Sequence, residues 1–461
     1  MATERPNIIL CMCDELRWCN VGCYGHATCR TPAIDQLAGD GARFDTAVTN
    51  NPVCLPARSI VVSGQYSRTC ASLQNALWPG ELPFGTVGFP QWPTGNRVHL
   101  PDPTLPELLQ QAGYKTAAIG KWHIEAWPNA VGFDHYVIPA HHHANTAQWF
   151  VADGQPVYSP PGYGIDHELD MAEAWLHHRR HDGEPFFLYL NLSPPHMPLL
   201  DAPRRYLDRY RDEDVITRGN VCDGWQPHPR QMLAYLWDYR GYRDHLPHCT
   251  VPEGTTLRGL ERLYMGLTTW VDDAVDRLRR AMASRGFTPD NTLLVFTSDH
   301  GDNLGSHERM GKGSINDESC RVPMCMAGPG IEPGTVVTDR VASLIDLGPT
   351  CLTLADTQTP DHMPGRDLGP AWRGEAPAPG HTHAFMEHVG WCGLRTPTHT
   401  LMFEHDDDAR ALGTAPTIFH DNTADPLQMT NLAETDAQAA LRDELAEAVR
   451  AWDAATPWRE T

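Results

Sequence analysis

The 461-residue chain has no apolar run long enough to read as a transmembrane helix, which excludes helical insertion into a bilayer as the expectation. Nor does it have an excess of basic residues. Lys and Arg total 36 against 58 Asp and Glu, a formal charge of −22. That balance argues against nucleic acid or an anionic membrane as a partner. A small anionic substrate stays open, because a site can be locally positive inside an acidic protein. The first residues, Met1-Ala2-Thr3-Glu4-Arg5-Pro6, carry no basic leader, and the apolar run Asn7–Cys13 follows without a small-residue cleavage site. The expectation is a first strand, not a secretion signal, and a cytoplasmic location. In that compartment the 13 cysteines are expected to be mostly free thiols. Seven of them precede residue 71, but no pair of CxxC knuckles occurs among them. Small buried apolar side chains therefore explain most of them better than a zinc site does. Internal repeats and low-complexity tracts are also absent.

What is present is an ordinary globular mix, 41% hydrophobic and 20% charged, in a chain long enough for one large domain and a smaller one. Strand-like runs alternate with helix-like segments, which predicts an α/β fold with a largely parallel sheet. The predicted strands are Asn7–Cys13, Lys115–Ile119, Phe186–Leu192 and Thr292–Thr297. Helices are predicted over Thr31–Gly41, Leu105–Ala112, Asp166–His181 and Leu257–Ser284, the last with Leu260, Leu263, Leu267, Val271, Val275 and Leu278 on one stripe. Gly80–Pro103 and Ala202–Pro252 read as long loops around a site mouth. Prolines between 360 and 379 suggest a boundary, with a 1–360 catalytic domain and a 361–461 subdomain that completes the fold. The latter holds strand candidates Ala384–His388, Thr400–Glu404 and Thr417–His420 and a final helix from about Glu434 to Trp452.

Asp14, Lys121, His196 and Asp299 each follow a predicted strand at its carboxyl end, where open α/β sheets place their ligands. Cys54-Leu55-Pro56-Ala57-Arg58 fits C-x-P-x-R. Alone, the pentapeptide also fits a buried cysteine before a proline turn. It does not stand alone. Asp14-Glu15 follows the first strand, and Gly22-Cys23-Tyr24-Gly25 precedes Thr31-Pro32-Ala33-Ile34-Asp35. Gly120-Lys121-Trp122-His123, Pro194-Pro195-His196-Met197-Pro198, Thr297-Ser298-Asp299-His300-Gly301 and Gly311-Lys312-Gly313 come next in order, and Asp425-Pro426 leads to Asn431-Leu432. In these segments the chain resembles, over nearly its whole length, the formylglycine-dependent sulfatases of the alkaline-phosphatase superfamily.

The resemblance implies an alkaline-phosphatase-like α/β fold: a large, mostly parallel sheet flanked by helices, with a smaller C-terminal α+β subdomain. It implies hydrolysis of a sulfate ester to an alcohol and sulfate. Cys54 would be oxidised by a formylglycine-generating enzyme, and its aldehyde would hydrate to a geminal diol. One hydroxyl would attack sulfur, and the other would later expel sulfate. Asp14, Glu15, Asp299 and His300, together with the modified Cys54, would hold one divalent ion. Many relatives carry Asp or Gln at the position of Glu15, and calcium-type members carry Asn at that of His300. The family default is Ca2+; the imidazole tilts the choice toward Mn2+, so both stay open. Arg58 would hold the hydrate and the metal carboxylates, and Lys121 and Lys312 the sulfate oxygens. His123 would accept a proton from the diol, and His196 would protonate the leaving alcohol. Asn75 is spaced from Cys54 like a substrate-contacting Asn of choline sulfatases and phosphonate monoester hydrolases. The rival activity is phosphonate monoester or phosphodiester hydrolysis on the same scaffold, although that group tends to lack the Lys121/His123 pair. A cysteine hydrolase is the remote alternative. His141-His142-His143 reads first as a solvated loop and second as the rim of the site, and the Trp-rich loops (Trp78, Trp92, Trp122, Trp127, Trp149) read first as packing. Aryl, choline-like and carbohydrate sulfates all fit as substrates. Oligomeric state is not legible, and a homo-oligomer is compatible with everything above.

Overall fold

A computed structural model describes residues 5–75, 99–139, 143–179, 183–237, 251–378 and 382–459. The strands of the larger part are β1 (Asn7–Asp14), β2 (Ala42–Phe44), β3 (Ala47–Val48), β4 (Lys115–Gly120), β5 (His135–Pro139), β6 (Phe150–Ala152), β7 (Phe186–Pro195), β8 (Thr292–Ser298), β9 (Met324–Ala327), β10 (Thr335–Val337) and β11 (Ala342–Ser343). Nine of them form one sheet in the order β10-β2-β9-β8-β1-β7-β4-β5-β6, and β11 pairs with β3 separately. The centre of the sheet is parallel: β1 pairs with both β7 and β8, and β4 with β7 and β5. Two strands run against it, since β9 is antiparallel to β8 and β2, and β6 to β5.

The central strands read as continuous apolar runs because helices cover both faces. Along β1, Ile9, Cys11 and Cys13 belong to one core and Ile8, Leu10 and Met12 to the other. The first core takes Ile34 and Leu37 from the helix Pro32–Asp40, Leu169, Ala172 and Leu176 from Gly164–Arg179, and the apolar stripe of Leu257–Ala283. The second takes Val61 and Val62 from Cys54–Ser63, Leu105 and Leu109 from Leu105–Gln111, and Leu347 and Leu352 from Leu347–Leu354. Cysteines at 11, 13, 325 and 351 are small members of these cores. No disulfide joins the described cysteines.

The smaller C-terminal part is an antiparallel sheet of β12 (Ala384–His388), β13 (Trp391–Arg395), β14 (His399–Asp406), β15 (Ala411–Leu412) and β16 (Ile418–Asp421). The helix Ala439–Ala455 packs Leu445, Ala446 and Val449 on its Leu394, Leu401, Phe403 and Phe419 face. That helix starts five residues after the predicted Glu434, because Gln438 before it is left-handed (φ 56°). The predicted loop Ala202–Pro252 contains helices at Arg204–Leu207 and Pro229–Trp237. Their short spans between prolines hid them from periodicity. Most of the predicted loop Gly80–Pro103 lies outside the described residues. Among those described, no helix is long and apolar enough to cross a membrane.

Candidate active site

Parallel pairing brings the carboxyl ends of β8, β1, β7 and β4 to one edge, in that order. Asp299-His300, Asp14-Glu15, His196 and Lys121-Trp122-His123 leave those ends side by side. The register of β1 against β7 shifts between Cys13 and Asp14, and Glu15 is left-handed (φ 67°), so the two consecutive carboxylates turn out of the strand plane. Gly120 is required before Lys121. Its φ is +90°, and a Cβ there would lie 1.9 Å from the Asn191 carbonyl oxygen of β7.

Cys54 opens the helix Cys54–Ser63, fully buried, with Val53 extended before it. A helix N-terminus favours negative charge. The thiol is ringed by donors and cations. Lys312 Nζ is 3.0 Å from its sulfur, His300 Nε2 3.1 Å and Asp14 Oδ1 3.6 Å. His123 hydrogen-bonds the same thiol. Burial alone would raise the Cys54 pKa, but Lys121, Lys312 and His300 hold it well below the usual thiol range. The chain has lysines only at 115, 121 and 312, so two of its three lie here. That scarcity was a signal the motif reading left unused.

Arg58 lies one helical turn beyond Cys54 on the same buried face. Its Nε and Nη2 meet Asp299 Oδ2 at 3.0 and 2.9 Å, while Nη1 donates to Asn191 Oδ1 at 2.7 Å and to the Lys121 carbonyl at 3.2 Å. Asp299 Oδ1 accepts from the backbone N–H groups of Glu15 and His300, at 3.0 and 2.9 Å. Asp299 is thereby fixed on both oxygens. Lys121 pairs with Asp14. Burial and the Cys54 thiolate push Asp14 up, yet Lys121, His196 and Lys312 hold it well below the carboxylate range.

Donor atoms of Asp14, Cys54, Asp299 and His300 all lie within 4.8 Å of one another, and all four residues are buried. Two hard carboxylates and an imidazole fit a divalent cation. His300 presents Nε2 to this cluster because its Nδ1 bonds the Gly301 carbonyl at 2.9 Å. The Glu15 carboxylate is not within the cluster. It sits 2.9 Å from His196 Nε2 and 3.4 Å from Lys312 Nζ. Asn75 is not in the ring either. Its Oδ1 accepts from Leu55 N–H at 3.0 Å, so it caps the N-terminus of the Cys54 helix.

Two histidines that both hydrogen-bond Cys54 are driven apart in charge. Burial pushes His123 down to about 4, so it is neutral near pH 7. Burial alone would lower His196 too, but the Glu15 carboxylate overrides it and raises His196 to about 10. His143 is a further site residue. It stacks on His196, so the solvated-loop reading gives way to the second one, the rim of the site, while His141 and His142 lie outside the described residues. Trp122 is buried, as its packing reading expects, edge-on to Phe133 with its indole N–H on the Ala126 carbonyl. Trp78 and Trp92 are outside the described residues.

Behind Gly120 lies Glu168, 2% exposed, with Oε2 making no hydrogen bond. Burial raises its pKa from 4.5 to about 8, against the weaker pull of Arg58. The native carboxyl therefore keeps its proton where the unfolded chain has lost it. The resulting loss of stability is absent below pH 4.5, grows as pH rises and levels off above about 8. Glu168→Gln should raise the unfolding free energy at pH 8 by on the order of a few kcal/mol, and Tm with it, and barely change either at pH 4.5. Thermal melts of both proteins at both pH values check this, and an equal gain at both would contradict it.

A helix-flanked sheet with a buried acid–imidazole cluster and cations at its carboxyl edge defines an alkaline-phosphatase-like hydrolase of anionic esters. Within that class the chain belongs to the sulfatase family, whose description matches residues 6–357; the description "N-sulphoglucosamine sulphohydrolase, C-terminal" matches residues 305–454. It is 27% identical to an ulvan-active sulfatase of Formosa agariphila over 96% of this chain and 80% of that one. A protein solved with its substrate D-glucosamine-2-N,6-O-disulfate superposes with a TM-score of 0.77 at 24% identity, covering 97% of each chain. A phosphonate monoester hydrolase from Silicibacter pomeroyi superposes at 0.72 and 21%, covering 98% and 96%. These two structures share the fold. The enzyme hydrolyses sulfate esters at a metal-assisted site of the formylglycine-sulfatase kind.

Proposed function

We propose that the substrate is a carbohydrate sulfate and that Cys54, as formylglycine, is the nucleophile. The observation that carries the nucleophile is the placement of Cys54 at a helix N-terminus, touching Lys312, His300 and Asp14 at once. Two features support a sugar as the alcohol half. One is the names of relatives that act on ulvan or on N-acetylglucosamine 6-sulfate. The other is a cavity of about 370 Å³ beside Glu15 and Lys312, lined by Arg230, Gln231, Tyr235 and Met310. Its size is that of a small-molecule pocket, and its polar rim suits hydroxyl groups.

The bound ion and the aldehyde hydrate supply a polarised sulfate and an oxygen nucleophile. The chain's own residues do the rest. Asp14, Asp299 and His300 would hold the ion with the modified Cys54, while Glu15 faces His196 and Lys312 from beside them. Arg58 locks Asp299 in position. Lys121 and Lys312 neutralise the sulfate and the charge that builds on it at sulfur transfer. His123, uncharged near neutrality and bonded to residue 54, accepts a proton there. His196, charged near neutrality, gives one to the leaving alcohol. Asn75 holds the helix end under the nucleophile.

A panel of sulfated sugars, nitrophenyl sulfate, a phosphonate monoester and a phosphodiester, assayed side by side, tests this reading. The sulfated sugars should give the highest kcat/KM. Preference for the phosphonate would move the chain to the rival activity. Chelation should abolish turnover, and Asp299→Asn should lose bound metal and activity together. Metal analysis with sulfate release checks this, and full activity in metal-free protein would refute the ligand set. The His300 imidazole favours restoration by Mn2+ over Ca2+.

A further inference from the structure

We infer that His143 is a positioning residue that sets the ring plane of His196. The inference rests on His196 as the leaving-group acid. The two imidazoles lie face to face, with centroids 3.8 Å apart and planes 9° from parallel. His196 is already held at both nitrogens. Nδ1 donates to the Met197 carbonyl at 2.6 Å, and Nε2 meets Glu15 at 2.9 Å. With Cγ these two hydrogen bonds fix the ring plane, but Nε2 must leave Glu15 to give its proton away, and the ring is then held at Nδ1 alone and can turn about Cβ–Cγ. A flat neighbour on one face removes that freedom. His143 is the ring that does so, and its plane lies 75° from that of His123, with centroids 6.4 Å apart.

The plane matters because Nε2 must deliver its proton along a bond in the ring plane, toward the bridging ester oxygen that leaves with the alcohol as the S–O bond breaks. A tilt would lengthen or bend that hydrogen bond, and geometric error of this kind costs rate out of proportion to its size. A second reading of the same atoms is an extra ion site, since donors of Asp14, Cys54, His143 and His196 also lie within 4.8 Å of one another. The stacking opposes it. Parallel rings aim their nitrogen lone pairs side by side, not at one point, and Lys121 and Lys312 already neutralise Asp14 and Cys54.

The test is steady-state and single-turnover kinetics of His143→Ala, His143→Phe, His143→Leu and His196→Ala, each on an alkyl sulfate and on nitrophenyl sulfate. The double variant His143→Ala/His196→Ala is included, with a thermal melt and metal content for every protein. His143→Ala should lower kcat on the alkyl sulfate by roughly 10–10²-fold, with KM nearly unchanged and a smaller loss on nitrophenyl sulfate. His143→Phe should restore most of that loss, because it keeps the flat face, and His143→Leu should not. In the His196→Ala background the same substitution should cost little more. Should the alanine variant not fold, the Phe and Leu pair decides the same question. Equal losses on both substrates from His143→Ala, while His196→Ala discriminates between them, would overturn the inference and leave the His196 role standing. So would Phe no better than Leu. Equal losses on both substrates from His196→Ala itself would instead remove the His196 role, and this inference with it.

Discussion

Cys54→Ala is expected to lose sulfate-ester turnover by a factor on the order of 10⁴–10⁶. The helix N-terminus, Lys312 and His300 all converge on the Cys54 sulfur. The loss should fall on kcat for every sulfate ester, aryl or alkyl, because each goes through the same attack on sulfur. Alanine is well tolerated at the first turn of a helix, so the melting transition should be retained. Sulfate release by ion chromatography and a thermal melt on the same preparation check both halves. Residual turnover within tenfold of the parent would place the nucleophile elsewhere.

His196→Ala should cut turnover of alkyl sulfates by about 10²–10⁴-fold and that of nitrophenyl sulfate much less. An alkoxide is a poor leaving group and needs a proton as the S–O bond breaks, whereas a nitrophenolate leaves unaided. Lys121→Ala and Lys312→Ala should instead damage both substrates alike, since the proposed role of each is to hold the sulfate they share. The comparison reads bond cleavage only where sulfur transfer limits the rate, so the first turnover is measured by rapid quench. Equal losses on both substrates with His196→Ala would make His196 a sulfate-binding residue.

Much of the architecture was legible because the strands that carry the site are long, buried and followed by unusual polar residues. Asn7–Asp14, Lys115–Gly120, Phe186–Pro195 and Thr292–Ser298 end within three residues of where their apolar runs predict. The short strands at 42–44, 47–48, 150–152 and 335–337 were not legible, since two or three residues carry no period. The antiparallel course of Met324–Ala327 was hidden for a related reason, because direction is set by the connection and not by the strand itself. Within the site, the motifs pointed to residues that do meet around Cys54, namely Asp14, Arg58, Lys121, His123, Asp299, His300 and Lys312. They could not say which way a side chain turns. Glu15 faces His196 and Lys312, and Asn75 caps a helix, because both are governed by partners distant in sequence. His143 was obscured for the opposite reason. Three consecutive histidines read first as solvated and only second as the rim of the site, and only the fold lays the third on His196.

The most direct test of the account is the mass of the peptide containing Cys54, read beside sulfate release, in protein made with and without a formylglycine-generating enzyme. The account predicts a peptide about 18 Da lighter in the matured protein and sulfate release that rises in proportion to the converted fraction. Full turnover by protein whose residue 54 is still a thiol would contradict it.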